Sequence, residues 1–482
     1  MLILVILSVA LVGSILAWLS GNRLASKVAL FISLLNLVLA ATGLKLASEA
    51  DFSLLAFSAS WISQPKINFQ LIADGIGILM IGLTNALIPL IILASSSRSL
   101  QNERVFYALI LFMQFALIGV FAASDGFLYY IFWELALIPI FFIAWLWGDG
   151  QREYRSKVIL KFFIYTLAGS LFMLFGFIYL YLKAGSFALK DLYALNLSEE
   201  EQKWLFWAFF IAFAIKIPVF PFHTWQPETY TESPTAGSML LSGIMLKMGI
   251  YSMLRWLLPV VPEGVAFWTP IVIVLCVIGV VYGSLIAIKQ DNIKRLVAYS
   301  SFAHVGLIAA GVFTFSKAGL QGSVVQMIAH GFNVVGLFFA GEIIYRRISS
   351  YHITRMGGIR NFAPHFTTYF LIITLASVAL PTTNAFVGEF LLLYGIYEYN
   401  TVLALVAGLT VVLGAVYMLR MFQRVMLGNI QPSQPVFADL NLAEKAVFLP
   451  LVLVIFACGI YPHYILKLAE PAVDAILQAA LR

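Results

Sequence analysis

The sequence predicts an all-α polytopic membrane protein of about 14 transmembrane helices. Of its 482 residues, 62% are hydrophobic and only 11% are charged, and the mean hydropathy is +0.95. A soluble protein of this length cannot bury so much apolar surface. Apolar runs of about 20 residues, each long enough to cross a bilayer as a helix, recur along the chain. Only helices and closed barrels satisfy their backbone hydrogen bonds in lipid, and runs of this length favour helices.

Fourteen apolar segments follow one another along the chain. The connection over 46–73 is the longest early one, and its FSLLAF stretch favours a small hairpin outside the membrane. The sequence shows no soluble domain and no low-complexity linker. The segments are 2–19, 27–45, 74–95, 105–123, 127–147, 158–182, 204–225, 235–257, 267–288, 294–315, 319–345, 367–395, 401–423 and 446–467.

The Lys and Arg residues in the connections predict the orientation, because cytoplasmic loops carry an excess of them. Loops after odd-numbered segments hold about twice as many as loops after even-numbered ones, so both termini are expected on the non-cytoplasmic side. The net charge of +6 does not indicate nucleic acid, since the basic residues are scattered over short loops. The first segment lacks a basic n-region and is interpreted as a retained helix rather than a cleaved signal.

Ionisable residues occur deep inside six of the segments, where each costs at least about 3 kcal/mol. Any one of them alone is consistent with a structural, internally paired residue, but six on six different helices favour a proton relay. Burial favours the neutral form of acids and bases alike, so such groups can take up and release protons as neighbouring charges change. The six residues are Glu134, Lys216, Lys247, His304, His330 and Glu389.

Prolines interrupt two of the segments close to these charges. Pro218 and Pro221 follow Lys216 within AFAIKIPVFPFHTW, and Pro381 precedes Glu389 within LPTTNAFVGEF. A proline removes a helix hydrogen bond, and the freed backbone must face protein or water rather than lipid. Each break is therefore expected to border a hydrated cavity.

The two interrupted segments are five apart, which suggests two inverted five-helix repeats, each containing a broken helix. The sequence then divides into N-terminal helices one to three with the hairpin loop, a first repeat of helices four to eight, a second repeat of helices nine to thirteen, and a C-terminal helix fourteen. The predicted divisions are 1–104, 105–257, 258–425 and 426–482.

One long motif resembles a known family. KIPVFPFHTWQPETYTESPTAGSMLLSGIMLKMGIYSMLR, with DNIKRLVAYSSFAHVGLI and FVGEF further on, resembles the antiporter-like membrane subunits of respiratory complex I, the NADH–quinone oxidoreductase. The resemblance covers 74–427 and implies a proton-translocating membrane-arm subunit without redox centres. Subunits of multisubunit cation/proton antiporters share the motif more loosely, and membership of such an antiporter is the alternative. The family contains several antiporter-like subunits, and most of them commonly carry lysine at the position of Glu389. The resemblance therefore favours the one subunit type that has glutamate there.

The resemblance also implies individual roles. Glu134 matches a glutamate beside the neighbouring subunit, and it is expected to modulate Lys216 at the first broken helix. Lys247 matches the central lysine of the relay. The expected path continues through two relay histidines to an exit-side glutamate: His304, His330 and Glu389.

The sequence departs from the family pattern after the first break and within the second. Tyr230 stands near where the family often has a loop histidine, and it is assigned no proton role. The second break has less glycine than is usual around Pro381. His223 belongs to the motif but lies near a helix end, so we interpret it as a structural residue.

The resemblance implies that this chain binds no cofactor, with NADH, FMN, iron–sulfur clusters and quinone expected in other subunits. No Rossmann glycine fingerprint is present, and Cys276 and Cys458 lie far apart without a CxxC pattern, so no metal site is expected. A haem held by His304 and His330 stays open as an alternative. The expected partners are the other membrane-arm subunits, especially the two sister antiporter-like subunits on either side, and the lipid bilayer. The expected location is the bacterial inner membrane rather than an organellar one.

Overall fold

The computed structural model describes residues 1–98, 100–430 and 434–480, and this part of the chain is almost wholly helical. Within it, 12 helices are long and apolar enough to cross a membrane. Two further crossings are each built from a pair of shorter helices, which gives the fourteen crossings that the sequence predicts. The helices are α1 (Leu2–Leu19), α2 (Asn22–Ser48), α3 (Gly75–Ser96), α4 (Glu103–Ala122), α5 (Gly126–Trp147), α6 (Arg152–Ala184), α7 (Leu189–Tyr193), α8 (Glu199–Lys216), α9 (Gln226–Glu232), α10 (Thr235–Leu257), α11 (Pro262–Lys289), α12 (Ile293–Val312), α13 (Lys317–Ile348), α14 (Pro364–Ser377), α15 (Asn384–Tyr399), α16 (Thr401–Met426), α17 (Leu442–Ile460) and α18 (His463–Ala480).

A β-hairpin after α2 marks one face of the molecule, which we call the hairpin face. Strands β1 (Ala56–Ile62) and β2 (Ile67–Ile72) pair antiparallel, as the sequence predicts. The amino group of Met1 donates a hydrogen bond to the carbonyl of Leu54 at 2.9 Å, so the chain begins on this face. Because successive crossings alternate in direction, α18 also lies there. We call the opposite face, with its Lys- and Arg-rich loops, the basic face.

The C-terminal boundaries differ from the prediction. The sequence predicts one helix over 446–467, but α17 ends at Ile460 and α18 begins at His463. Pro462 lies between the two helices, and a proline cannot continue a helix whose amide hydrogen bond it lacks. Helix α18 packs against the start of α3, where a Cβ on Gly75 would lie only 1.8 Å from the carbonyl oxygen of Leu468.

The first broken crossing, α8 and α9, runs from the hairpin face to the basic face. Its break at 217–225 contains Pro218 and Pro221, as the sequence predicts. The carbonyl of Ile215, which the break frees, accepts a hydrogen bond from the indole nitrogen of Trp225 at 2.9 Å. Protein groups therefore satisfy part of the interrupted backbone.

The second broken crossing, α14 and α15, runs in the opposite direction. Its break at 378–383 contains Pro381, and the side chain of Asn384 at the start of α15 donates to the carbonyl of Ala329 on α13 at 3.3 Å. Two breaks in antiparallel crossings are the inverted arrangement that the sequence suggests. The division points between the repeats stay predictions.

Helices α10, α12 and α13 form the centre of the molecule. In the 18-residue apolar stretch of each helix, 100% of the residues are buried in α10 and in α13, and 89% are buried in α12. The corresponding share is only 28% in α2 and in α16. A polar side chain on one of the central helices therefore faces other helices rather than lipid.

Candidate functional site

Four ionisable side chains from four different helices form a row in the middle of the molecule, which we call the buried relay: Lys247, His330, His304 and Glu389. The Nζ of Lys247 lies 2.8 Å from the Nδ1 of His330, within hydrogen-bond distance. The rings of His330 and His304 have centroids 6.3 Å apart. The Nδ1 of His304 lies 2.9 Å from Oε1 of Glu389, an ion-pair distance without the alignment of a hydrogen bond. None of the four is more than 6% exposed.

The backbone of α10 is irregular on both sides of Lys247. Two π-helical turns, Leu241–Met245 and Met253–Leu257, interrupt the α-helix before and after it. Such turns are common at functional sites, because they leave carbonyl groups out of the regular hydrogen-bond pattern. The carbonyl of Ser242, in the first π turn, accepts a hydrogen bond from the Nζ of Lys247 at 2.6 Å. Lys247 is thus held between a backbone carbonyl and an imidazole.

A small cavity lies beside the two histidines of the buried relay, and most of its surface is apolar. Its lining includes Ser300, Gln326 and Asn333, besides His304 and His330. Its volume of about 20 Å³ accommodates about one water molecule. A cavity of that volume is far smaller than a porphyrin.

Gln326 on α13 extends the relay at its far end. Its Nε2 donates a hydrogen bond to Oε1 of Glu389 at 3.1 Å, and the side chain is 2% exposed. The sequence analysis did not single out Gln326, because a glutamine within an apolar segment carries no signal of what it faces.

Lys216 and Glu134 form a separate pair of charges near the first break. Lys216 is the last residue of α8 and is 2% exposed, and its Nζ lies 5.1 Å from the ring centre of Trp133, a cation–π distance. In the described part of the chain this Nζ has no hydrogen-bond partner. Glu134 follows Trp133 on α5, is half-buried, and is close enough for its charge to act on Lys216.

Lys216 does not touch the buried relay directly among the described residues, but its helix packs against that of Lys247. A Cβ on Gly249 of α10 would lie 2.4 Å from the Cγ1 of Ile217, the residue that follows Lys216. The end of α8 and the middle of α10 are therefore in close contact, two residues from Lys247. A change at Lys216 can reach the relay over this short distance.

His223 lies in the first break and outside the buried relay. Its ring stacks between those of Phe220 and Phe302, with centroid distances of 5.7 and 4.6 Å, and the side chain is 6% exposed. The structural role that the sequence analysis assigns to His223 stays a prediction.

A cluster of ion pairs at the basic face was missed by sequence reasoning. Lys294 is 1% exposed and lies 2.9 Å from Asp149, which also pairs with Arg98 at 3.2 Å. Glu342 on α13 pairs with Arg346, one turn away, at 2.9 Å. The sequence analysis treats these basic residues only as loop charges that set the orientation. The signal that could have found the cluster is Glu342, a carboxylate still inside the apolar run GLFFAGEII.

Fold and site together define a class of protein. It is a polytopic membrane subunit in which two broken helices of opposite direction flank a chain of buried lysine, histidine and glutamate side chains. Buried ionisable chains of this kind mark proton pathways in membrane proteins.

Comparison with known proteins gives the family. The family model described as NADH:quinone oxidoreductase/Mrp antiporter, TM, matches residues 123–414. NADH-quinone oxidoreductase subunit M of Rickettsia prowazekii is 38% identical over 471 residues, which are 96% of this chain and 95% of that protein. The chain therefore belongs to the family of NADH:quinone oxidoreductase and Mrp antiporter membrane subunits, and the predicted resemblance is confirmed.

Two solved structures show the same fold. A chain of respiratory complex I from Thermus thermophilus with bound NADH has a TM-score of 0.91 and 30% identity, with 100% of both chains covered. A chain of the Mrp complex from a Dietzia species has a TM-score of 0.87 at 19% identity, with 100% of this chain and 99% of that chain covered. The second likeness concerns the fold alone.

Proposed function

We propose that this chain is a proton-translocating membrane-arm subunit of a type I NADH–quinone oxidoreductase, and that its own part of the enzyme reaction is translocation rather than redox chemistry. The observation that carries the proposal is the buried relay, in which four ionisable side chains at most 6% exposed lie in line across four helices. Single buried charges often serve structure, but a continuous row of groups that can each bind a proton fits a pathway.

The proton route follows the order of contacts. The ammonium of Lys247 passes its proton to the Nδ1 of His330 across their 2.8 Å contact. The rings of His330 and His304 are 6.3 Å apart at their centroids, so a water in the small cavity beside them would bridge the next step. His304 then delivers the proton to Glu389, 2.9 Å away, and Glu389 releases it along α15 toward the hairpin face.

Glu134 and Lys216 couple the relay to events elsewhere. When the carboxylate of Glu134 faces Lys216, it stabilises the ammonium form. A charge change arriving from a neighbouring subunit weakens this attraction, and the buried Lys216 then releases its proton toward Lys247. The energy comes from electron transfer in other subunits, which would hold NADH, FMN, iron–sulfur clusters and quinone.

The partners and the location follow from this role. The half-buried Glu134 on α5 would face one sister antiporter-like subunit, and a second sister subunit would lie on the other side of the chain. We place the protein in the bacterial inner membrane. The Lys and Arg excess assigns the basic face to the cytoplasm, so that both termini lie on the non-cytoplasmic side.

The test is proton pumping per electron pair by the assembled complex in liposomes, with Lys216→Ala and Lys216→Arg. Both variants should lose the pumping that depends on this chain, because alanine binds no proton and a guanidinium does not release one. Lys157→Ala, at an exposed lysine paired only with Glu153, is the matched control. Normal pumping by both Lys216 variants in fully assembled complex would refute the proposed coupling.

A further inference from the structure

A second line of polar groups connects the buried relay with the basic face. Helices α10 and α13 lie antiparallel and touch at two levels. At mid-membrane Lys247 contacts His330, and nearer the basic face the hydroxyl of Thr235 donates to Oε2 of Glu342. The two levels are twelve residues apart on both helices, which is about 18 Å of α-helix.

Between these levels the two helices are in backbone contact. A Cβ on Gly331 of α13 would lie 3.0 Å from the carbonyl oxygen of Gly243 on α10, so nothing else fits between them there. Beside this contact the hydroxyl oxygens of Ser242 and Ser301 lie 3.0 Å apart. The carbonyl of Ser242 is the one that holds Lys247. The Ser242 hydroxyl therefore belongs to the residue whose carbonyl contacts Lys247, and a water would carry the proton over the last step to Nζ, because a backbone carbonyl does not relay protons.

Two polar side chains of α9, Tyr230 and Gln226, lie close to Ser242. Both are 0% exposed, and the Tyr230 hydroxyl and Gln226 Oε1 have no hydrogen-bond partner among the described residues. The Tyr230 hydroxyl faces the side chains of Gln226 and Ser242. Burying polar atoms in this way is costly unless water reaches them, so the segment between Thr235 and Ser242 is suited to a hydrated path.

Glu342 stands at the outer end of this line. It is 3% exposed, one of its oxygens pairs with Arg346 at 2.9 Å, and the other accepts from Thr235 and, at 3.4 Å, from the hydroxyl of Tyr351. The side chain of Arg346 is 21% exposed, so it borders the water at the basic face. Glu342 thus has one oxygen directed toward the surface and the other toward α10.

We propose that Glu342 collects protons at the basic face and passes them through Thr235, Tyr230, Ser242 and Ser301 to Lys247. This inference rests on the proposed function, because it supplies the protons that the relay moves. A hydronium ion protonates the carboxylate of Glu342 and leaves water. Each hydroxyl or intervening water then accepts one proton and releases another, and the neutral amine of Lys247 becomes an ammonium while the Glu342 carboxylate is restored beside Arg346.

The chain offers a matched control for Glu342. Glu444 is also buried, at 4% exposure, and pairs at 2.7 Å with Arg347, the residue next to Arg346. Its carboxylate caps the start of α17 and, in the described structure, has no contact with α10. Glu342→Gln and Glu444→Gln therefore remove the same charge from two similar environments, and only one of them lies on the proposed path.

The experiment measures proton pumping per electron pair by the assembled complex in liposomes, at several pH values on the side of the basic face. Glu342→Gln should lose pumping, and the loss should shrink as the pH falls, because more protons then reach Thr235 without a collecting carboxylate. Glu444→Gln should pump normally. An equal loss at every pH, or unchanged pumping by Glu342→Gln, would overturn the inference.

Lys216→Ala, measured in parallel, separates the two proposals. If Lys216→Ala loses pumping while Glu342→Gln pumps normally, the intake path is wrong and the proposed function stands. If Lys216→Ala pumps normally, the proposed function itself has failed.

A second pair of variants decides the matter if Glu342→Gln does not assemble. Thr235→Val keeps the size of the side chain but removes the hydroxyl, whereas Thr235→Ser keeps the hydroxyl. Pumping should fall with valine and persist with serine. Equal pumping by the two variants would overturn the inference.

Discussion

At the scale of single residues, what distinguishes a relay lysine from a structural one is its partners. Lys247 and Lys294 are both 1% exposed. Lys294 lies 2.9 Å from the carboxylate of Asp149 and also donates to the carbonyl of Ser233 at 2.7 Å, so it has a charged partner of opposite sign. Lys247 has the imidazole of His330 and one carbonyl, and neither partner carries a full negative charge. Lys247 therefore lacks the carboxylate partner that Lys294 has, which is the contrast that the proposed proton transfer requires.

This contrast predicts that Asp149→Asn destabilises the protein. The substitution leaves the ammonium of Lys294 buried without its charged partner, a situation that costs about 3–5 kcal/mol. The expected result is a lower temperature of thermal unfolding in detergent, with Asp291→Asn, at a more exposed carboxylate of the same face, as the control. Equal unfolding temperatures for Asp149→Asn and the native protein would contradict this account of the ion pairs.

The same carboxylate predicts the direction of a pH effect. Burial acts to raise the pKa of Asp149, but the charges of Lys294 and Arg98 outweigh burial and hold that pKa below its ordinary value. A carboxyl group whose pKa is lowered by folding stabilises the folded state above its unfolded pKa, near 4, and that stability is lost as the pH falls through the folded value. Asp149→Asn should therefore flatten the loss of stability on acidification.

The residues of the relay could be predicted from the sequence, but their partners could not. A lysine or histidine in the middle of an apolar run is conspicuous, because burying it is costly. The contact of Lys247 with His330 depends on how α10 and α13 are rotated and placed, which no local pattern determines. Gln326 and Ser242 were missed for a related reason, since uncharged polar residues are common in membrane helices.

At the scale of helices, the relay depends on irregular elements placed beside regular ones. The two breaks follow from Pro218, Pro221 and Pro381, and the sequence predicted them because proline acts locally. The π turns around Lys247 have no comparable sequence signal and appeared only in the structure. The end of α17 has a local signal, Pro462, but the sequence analysis did not predict it, because apolar residues continue on both sides of this proline.

The close contact of α10 and α13 predicts the effect of Gly331→Val. The added side chain must displace the backbone at Gly243, whose carbonyl oxygen would lie 3.0 Å from the new Cβ, and overpacking of this kind costs about 1–3 kcal/mol. Separating the helices should also lengthen the contact of Lys247 with His330 and slow pumping.

Gly408→Val is the matched control, because a Cβ at Gly408 meets no atom within 4 Å. Pumping per electron pair and the amount of assembled complex should both fall with Gly331→Val and stay unchanged with Gly408→Val. Equal behaviour of the two variants would show that the contact at Gly331 does not position the relay.

At the scale of the whole molecule, the proposed proton path has two arms. One arm leads from Glu342 at the basic face to Lys247, and the other leads from Lys247 through the two histidines to Glu389 and the hairpin face. The fourteen crossings and the opposed breaks could be predicted, because hydropathy and proline position report directly on membrane spans. The intake arm could not, because it is built from hydroxyl groups whose alignment depends on tertiary packing.

The central claim is that Lys247 carries the protons that this chain moves. The most direct test is the ratio of protons pumped to electrons transferred by the assembled complex with Lys247→Met, which keeps the length and apolar stem of the side chain but binds no proton. Lys157→Met, at a lysine whose side chain is 73% exposed, is the control. We expect Lys247→Met to assemble and to pump fewer protons per electron pair than the control. An unchanged ratio in assembled Lys247→Met complex would contradict the account.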